Sequence, residues 1–254
     1  KQLQAAEERM LHCIRAAFTR QFVPISDGNR LWTLTFCSDA VKDKTPVVLL
    51  HGFGCGVGFW AQNLDALSQH RPVFALDMLG FGQSTRPLFS TDPREAEDQF
   101  VESIEQWRAE VGLESVILLG HNLGGFLAVC YSMKHPHRVK HLILVEPWGL
   151  PEAQEMTEAD RPIPAWIKAL GAMFSPFNPL AGLRLRPLLP RMDQLHPAIP
   201  ITIIYGSRSS IDSNSGSAVR QMRPASHVEV ITTRGAGHYV YADQPEDFNH
   251  RVLL

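Results

Sequence analysis

The chain has 254 residues, 44% of them hydrophobic, a size and composition suited to one α/β domain with a large core. Lys+Arg 24 against Asp+Glu 26 leaves a formal net charge of -2, and no basic block suggests a nucleic-acid surface. Cys13, Cys37, Cys55 and Cys130 stand far apart without a CxxC pair, which argues against a zinc site or a disulfide framework and makes a reducing, cytosolic setting the default.

No stretch is apolar for long enough to span a bilayer, and no signal peptide opens the chain. The start at Lys1, without a methionine, suggests that the natural N-terminus lies upstream. Leu3 to Phe18 fits an amphipathic helix, with Leu3, Met10, Ile14, Ala17 and Phe18 on one face and Glu7, Glu8 and Arg15 elsewhere. Docking on the domain is the plain reading, because the polar face is not lysine-rich as a membrane-surface helix would be. Ser26-Asp27-Gly28-Asn29 reads as a turn between the strands Phe22 to Ile25 and Leu31 to Phe36.

Pro46 to Leu50 is a buried-strand pattern that runs into His51-Gly52-Phe53-Gly54-Cys55-Gly56. Glycines directly after a strand let the backbone fold closely and turn N–H groups toward a ligand. A helix follows from Gly58 to His70, then a strand from Pro72 to Asp77 that ends in Leu79-Gly80-Phe81-Gly82. The glycine spacing there is not that of a dinucleotide site, so Asp77 reads as a turn or cap residue. Glu95 to Val111 fits a surface helix with Phe100, Ile104 and Trp107 on one stripe.

The densest signal comes next. Val116 to Leu119 is an apolar strand; Gly120-His121-Asn122-Leu123-Gly124 turns sharply; Phe126 to Tyr131 continues as helix. Strand, glycine turn and helix are the setting of the nucleophile elbow, Gly-x-Ser-x-Gly. Here Asn122 stands where the serine should be. The elbow drives its central residue to positive φ, a region Asn tolerates better than most. A carboxamide has no ionisable hydroxyl for a histidine to activate, so hydrolysis is not expected.

His141 to Val145 is a further strand, broken by Glu146-Pro147-Trp148-Gly149. From Leu150 to Pro200 the chain is proline-rich, aromatic and irregular, with one helix expected near Ala165 to Phe174. An insertion over the carboxyl ends of the strands is where a cap would sit. Trp148, Trp166, Phe174 and Phe177 suit an acyl pocket or, equally, the cap's own small core. Ile199 to Tyr205 and Val228 to Thr233 are the last strands; Pro245 to Leu254 is a terminal helix with Glu246 and Asp247 at its positive end. The expected division is 1–149 for the N-terminal helix, hairpin and first part of the core, 150–198 for a shortened cap, and 199–254 for the second part of the core.

Strands alternating with helices predict an α/β fold with a mostly parallel sheet covered on both faces. Asn122, Asp212 and His238 each follow a strand at the edge where such sheets bind ligands. Their order, nucleophile position, acid, histidine, is that of the α/β-hydrolase fold. In that frame Asp212 orients His238, and the N–H groups of Phe53 and Leu123 form an oxyanion hole. With Asn at the elbow, the plain reading of His238 is a loop histidine bonded to Asp212. His238 to Asp243 also spells HxxxxD, a spacing some acyltransferases use with the histidine as general base.

The segments His51 to Gly54, Asp77 to Gly82, Gly120 to Phe126, His141 to Gly149, Pro176 to Leu180 and Gly235 to Pro245 together resemble the abhydrolase-domain subfamily four/five. The resemblance runs along nearly the whole chain. One branch of that subfamily carries Ser at the elbow and acts as a lysophospholipase or N-acyl-phosphatidylethanolamine lipase; Asn122 matches the other, coactivator branch. The resemblance implies a protein of the cytoplasm and lipid droplet that activates adipose triglyceride lipase, binds perilipins and responds to long-chain acyl-CoA. It also implies a coenzyme A-dependent lysophosphatidic acid acyltransferase activity. No metal or bound cofactor is expected from the sequence itself, long-chain acyl-CoA entering as ligand or substrate. Lipase activation in that branch is associated with an arginine before the triad acid and a glycine before the triad histidine, positions that match Arg208 and Gly237. For Gly237 the local reading is a turn glycine needing positive φ. Members of the family carry a tryptophan-rich droplet anchor before the first helix and a longer cap between the positions of Leu185 and Arg186, so the expectation here is a shortened cap and a segment that starts after the anchor's position.

Overall fold

The computed structural model describes residues 1–150, 186–211 and 213–253. The expected cap helix near Ala165 to Phe174, the aromatic residues Trp166, Phe174 and Phe177, and the triad acid Asp212 lie outside the described residues. Eight strands form one sheet in the order β1-β2-β4-β3-β5-β6-β7-β8. They are β1 (Thr19–Pro24), β2 (Arg30–Phe36), β3 (Val47–Leu50), β4 (Val73–Leu76), β5 (Val116–His121), β6 (Val139–Val145), β7 (Ile201–Gly206) and β8 (Val228–Thr233). The hairpin β1–β2 and its junction with β4 are antiparallel; every other pairing is parallel. This is the mostly parallel sheet that the strand–helix alternation predicts, and every residue of β3, β4 and β7 is buried, as parallel strands covered on both faces require.

Seven helices accompany it among the described residues: α1 (Gln2–Leu11), α2 (Ala61–Ser68), α3 (Pro93–Val111), α4 (Leu123–Lys134), α5 (Asn214–Met222), α6 (Val240–Asp243) and α7 (Pro245–Val252). Phe100, Ile104 and Trp107 of α3, Phe126 and Leu127 of α4 and Val219 of α5 join the core on one face of the sheet. Leu11 of α1, Leu64 and Leu67 of α2 and Phe248 of α7 join the core on the other. Helix α3 starts at Pro93 because the Asp92 carboxylate accepts the N–H groups of Arg94 and Glu95, and it stops at Gly112 in the left-handed conformation. Helix α5, which carries few apolar residues, was not evident in the sequence.

The first helix departs from expectation. It ends at Leu11 rather than Phe18, and Phe18 stacks on Phe36 at 4.8 Å between ring centroids, just before β1. Its buried residues are Glu7 and Leu11, while Leu3 and Met10 of the expected apolar face are exposed. Glu7 is tolerated inside because its carboxylate accepts from Trp32 Nε1 at 2.8 Å and Gln83 Nε2 at 2.9 Å. Burial, partly offset by those two bonds, raises the pKa of Glu7.

Where the chain leaves the sheet after β6 it also returns: the Leu188 N–H donates to the Gly149 carbonyl at 2.7 Å. The returning segment is anchored by Arg191, which pairs with Glu97 of α3 at 2.6 Å. Arg223 fixes it further, donating to the carbonyls of Met192, Leu195, His196 and Ile199.

Candidate functional site

The turn between β5 and α4 has the geometry of a nucleophile elbow. Asn122 has φ 55 and ψ -114. Positive φ agrees with expectation, but ψ lies far from the left-handed helical well in which Asn is at ease. Tertiary bonds hold it there instead: Asn122 N–H donates to Val145 O at 3.0 Å, and Asn122 O accepts from Phe126 at 3.1 Å and Trp148 at 3.2 Å. The flanking glycines are dictated by contact. A Cβ at Gly120 would stand 2.3 Å from Gly124 O, and one at Gly124 would stand 2.2 Å from Leu50 O.

The Asn122 side chain is buried and turned toward the loop after β3, where its Oδ1 accepts the Phe53 N–H at 3.2 Å. That N–H is the expected oxyanion donor, so the carboxamide oxygen itself engages the position meant for a developing oxyanion. Leu123, the other expected donor, is the first residue of α4 and fully buried. The Phe53 ring is 44% exposed, stacked on Trp148 and edge-on to Phe81, each at 5.9 Å.

Two buried groups brace this loop. His51 Nε2 accepts the Met78 N–H at 2.9 Å, which leaves Nδ1 as donor to Gly52 O at 2.7 Å. Burial lowers the His51 pKa to about 4, so the ring stays neutral. The Asp77 carboxylate accepts the N–H groups of Val57 and Gln83, each at 2.8 Å. Asp77 thus ties the loops after β3 and β4 together, and burial raises its pKa to about 6.

His121, inside the elbow motif, reaches the other side of the site. Its Nε2 lies 3.0 Å from the His238 carbonyl, which can only accept, so Nε2 carries the proton and Nδ1 accepts from Tyr241 Oη at 3.1 Å. Burial, reinforced by His238, lowers the His121 pKa to about 3. In the sequence His121 is a variable position of the elbow motif. Nothing local marks it as the anchor of a loop 117 positions away.

His238 is half-buried, and the carboxylate beside its ring is one the sequence reading did not single out. Glu146, at the end of β6, places Oε2 3.9 Å from His238 Nδ1. The expected HxxxxD partnership does not form: Asp243 Oδ2 accepts the Gly237 N–H at 2.8 Å, and no hydrogen bond or ion pair joins Asp243 to His238. A four-residue helix, α6, intervenes and turns the carboxylate back on the loop rather than toward the ring. Gly237 is not at positive φ either; Gly235 is, at φ 80. Gly237 lies against Gly206, where a Cβ would stand 2.2 Å from the Gly237 carbonyl.

Arg208 is exposed on the loop after β7. Its N–H donates to Ala236 O at 2.9 Å, while Ser207 Oγ accepts the Gly235 N–H at 2.9 Å. The Arg208 and Gly237 loops are therefore sewn together along one seam. Among the described residues, no group of three or more His, Cys, Asp or Glu could hold a metal ion, and no helix is long and apolar enough to cross a membrane.

A family model described as the alpha/beta hydrolase fold matches residues 45–175. The 1-acylglycerol-3-phosphate O-acyltransferase ABHD5 (CGI-58) of Homo sapiens is 47% identical over 308 residues, covering 98% of this chain and 88% of the relative. The (lyso)-N-acylphosphatidylethanolamine lipase of Homo sapiens is 40% identical over 306 residues, covering 98% and 89%. Both matched spans exceed the 254 residues here, so the relatives carry residues inside them that this chain lacks. Among solved structures, carboxylesterase CesB of Bacillus subtilis superposes with a TM-score of 0.75 at 17% identity, covering 99% of this chain and 96% of that one. A bacterial membrane phospholipase A gives 0.73 at 21% identity, covering 99% and 88%; at such identities both speak to the fold alone. The sheet order, the elbow and the extent of these matches agree: the chain belongs to the α/β-hydrolase fold family, in the subfamily of ABHD4 and ABHD5.

Proposed function

We propose that this protein is a non-hydrolytic member of the family that activates a triglyceride lipase at the lipid-droplet surface and so promotes triacylglycerol lipolysis. The observation that carries this reading is Asn122. It keeps the elbow but supplies no hydroxyl, and its own oxygen engages the Phe53 N–H. A site so arranged neither attacks an ester nor receives its carbonyl in the usual way. The seam between the Arg208 and Gly237 loops supports a recognition role, since it presents an exposed guanidinium on a backbone fixed by cross-loop bonds. Adipose triglyceride lipase, perilipins and long-chain acyl-CoA are the proposed partners, with the cytoplasm and droplet as the location.

The test is triglyceride hydrolysis by purified lipase with and without this protein, repeated with Arg208→Ala. Stimulation that falls at least tenfold in the variant, with unfolding temperature unchanged, is the expected outcome. Undiminished stimulation removes Arg208 from the proposed surface, and no stimulation by the unaltered chain removes the function.

A second reading is acyl transfer from acyl-CoA to lysophosphatidic acid, favoured by the activity in the name of the relatives at 47% identity. His238, half-exposed beside the Glu146 carboxylate, would be its general base, without Asp243. Acyl-CoA consumption by protein from an acyltransferase-free host separates the two. A third reading, a serine-type lysophospholipase silenced at Asn122, follows from the 40% identical lipase and is tested with Asn122→Ser below.

A further inference from the structure

Glu146 occupies an unusual position. It is fully buried at the end of β6, and its backbone sits at φ 47, a region that disfavours every side-chain-bearing residue. That backbone turn directs the carboxylate under the loops that follow β7 and β8. Oε1 accepts the Gly206 N–H at 2.8 Å, and Oε2 accepts the Ser209 hydroxyl at 2.8 Å. The same Oε2 faces His238 Nδ1 at 3.9 Å. Among the described residues no Lys or Arg lies within ion-pair distance of Glu146, so His238 is the cation-forming side chain it faces. A buried carboxylate is stable only with hydrogen bonds and a partner of this kind.

We propose that Glu146 is the positioning residue for His238, its negative charge favouring the Nδ1–H tautomer across 3.9 Å and leaving the Nε2 lone pair free, while fixing the Arg208 loop through Gly206 and Ser209. One side chain then sets both loops of the surface. The Asp243 carboxylate, already engaged by the Gly237 N–H, plays no part in this. The inference rests on the reading of these loops as the working surface, but its test reads the imidazole directly.

The experiment is nitrogen NMR of the histidine rings in the full chain at alkaline pH, comparing the unaltered protein with Glu146→Gln, Asp212→Asn and Asp243→Asn. The unaltered His238 should carry its proton on Nδ1. In Glu146→Gln the amide oxygen keeps the Gly206 bond, so a neutral amide N–H group replaces the carboxylate charge that faces Nδ1 across 3.9 Å. The tautomer ratio should then move toward Nε2–H on the order of tenfold, with Asp243→Asn unchanged. An unchanged ratio in Glu146→Gln, or a reversal produced by Asp212→Asn alone, overturns the proposal. If Glu146→Gln fails to fold, Glu146→Asp withdraws the carboxylate by one methylene, and an unchanged ratio there overturns it equally. Tautomer reversal in a protein that does not stimulate a lipase supports the role of Glu146 while refuting the lipase reading, so the two failures are distinguishable.

Discussion

Two regions meet at the carboxyl edge of the sheet, and different forces shape them. The elbow region is held by backbone crowding: Gly120 against Gly124, and Gly124 against Leu50, at distances where no Cβ fits. The acid–histidine region, formed by the loops after β6, β7 and β8, contains one such approach, Gly206 against Gly237. Its functional groups are otherwise placed by polar side chains that reach across the fold, Glu146 to Ser209 and His121 to the His238 backbone. Crowding fixes a shape almost regardless of the chemistry at the tip, which is how Asn can replace Ser at the elbow. Polar placement depends on protonation and on single atoms, so the second region should be the more sensitive to conservative substitution and to pH.

The largest expected effect tests the crowding. In Gly124→Ala the new methyl carbon would stand 2.2 Å from the Leu50 carbonyl oxygen, backbone that cannot move without parting β3 from β5. The loss should exceed about 4 kcal/mol, read as failure to fold or as a collapsed midpoint in denaturant. A soluble variant with a near-native unfolding temperature would show that crowding does not decide this turn.

The next effect concerns acid. His51 and His121 are held neutral by burial, with folded pKa values of about 4 and about 3 against 6.5 for a free histidine. Between those values and 6.5 the unfolded chain binds more protons, so stability rises with pH there and is lost as pH falls through the window. His51 contributes roughly 3 kcal/mol and His121 roughly 5 kcal/mol to that loss. Asp77, raised to about 6 by burial, has the opposite sign, since the folded form binds its proton first between about 4 and 6. His121→Gln keeps a donor and an acceptor but does not titrate. Unfolding free energy measured from neutral to acid pH should therefore fall less steeply in this variant; an identical slope would mean that His121 does not couple the two regions through its proton.

The smallest effect should come from the tip of the elbow. Asn122→Ser removes the carboxamide and its bond to the Phe53 N–H, a net cost of about 1 kcal/mol. The Phe53 amide should exchange faster with solvent while the rest of the turn is unchanged. The same protein, treated with a serine-directed phosphonate, should remain unlabelled if the coactivator reading holds. Labelling would show that the site still assembles as a hydrolase and would favour the silenced-lipase reading.

Much of the fold was legible from local patterns. Strands β3 and β4 are continuous apolar runs, α3 carries a three-residue aromatic and aliphatic stripe, and the elbow glycines announce the strand-to-helix turn. Other features were not legible, for identifiable reasons. Hydrophobicity predicts an apolar inner face for helix α1, yet Glu7 is inside because Trp32 and Gln83 offer N–H groups to it. Gly237 suggested a positive-φ turn, yet its φ is not positive; a Cβ there would stand 3.2 Å from Asp243 Oδ2, and the tight backbone approach belongs to Gly206, whose Cβ would meet the Gly237 carbonyl. HxxxxD suggested a pair in space, yet helix α6 turns Asp243 onto the Gly237 amide.

By itself the sequence determined the succession of the eight strands, the turn at Asn122 and the absence of a nucleophilic hydroxyl there. Periodicity, glycine spacing and side-chain chemistry are properties of neighbouring residues, readable without a partner. Only the tertiary structure decided which carboxylate faces His238, which nitrogen of His121 holds its proton and what the Asn122 amide touches. Those depend on groups 60 or more positions apart, such as Glu146 with Gly206 and Asn122 with Phe53, brought together by the parallel crossovers of the sheet.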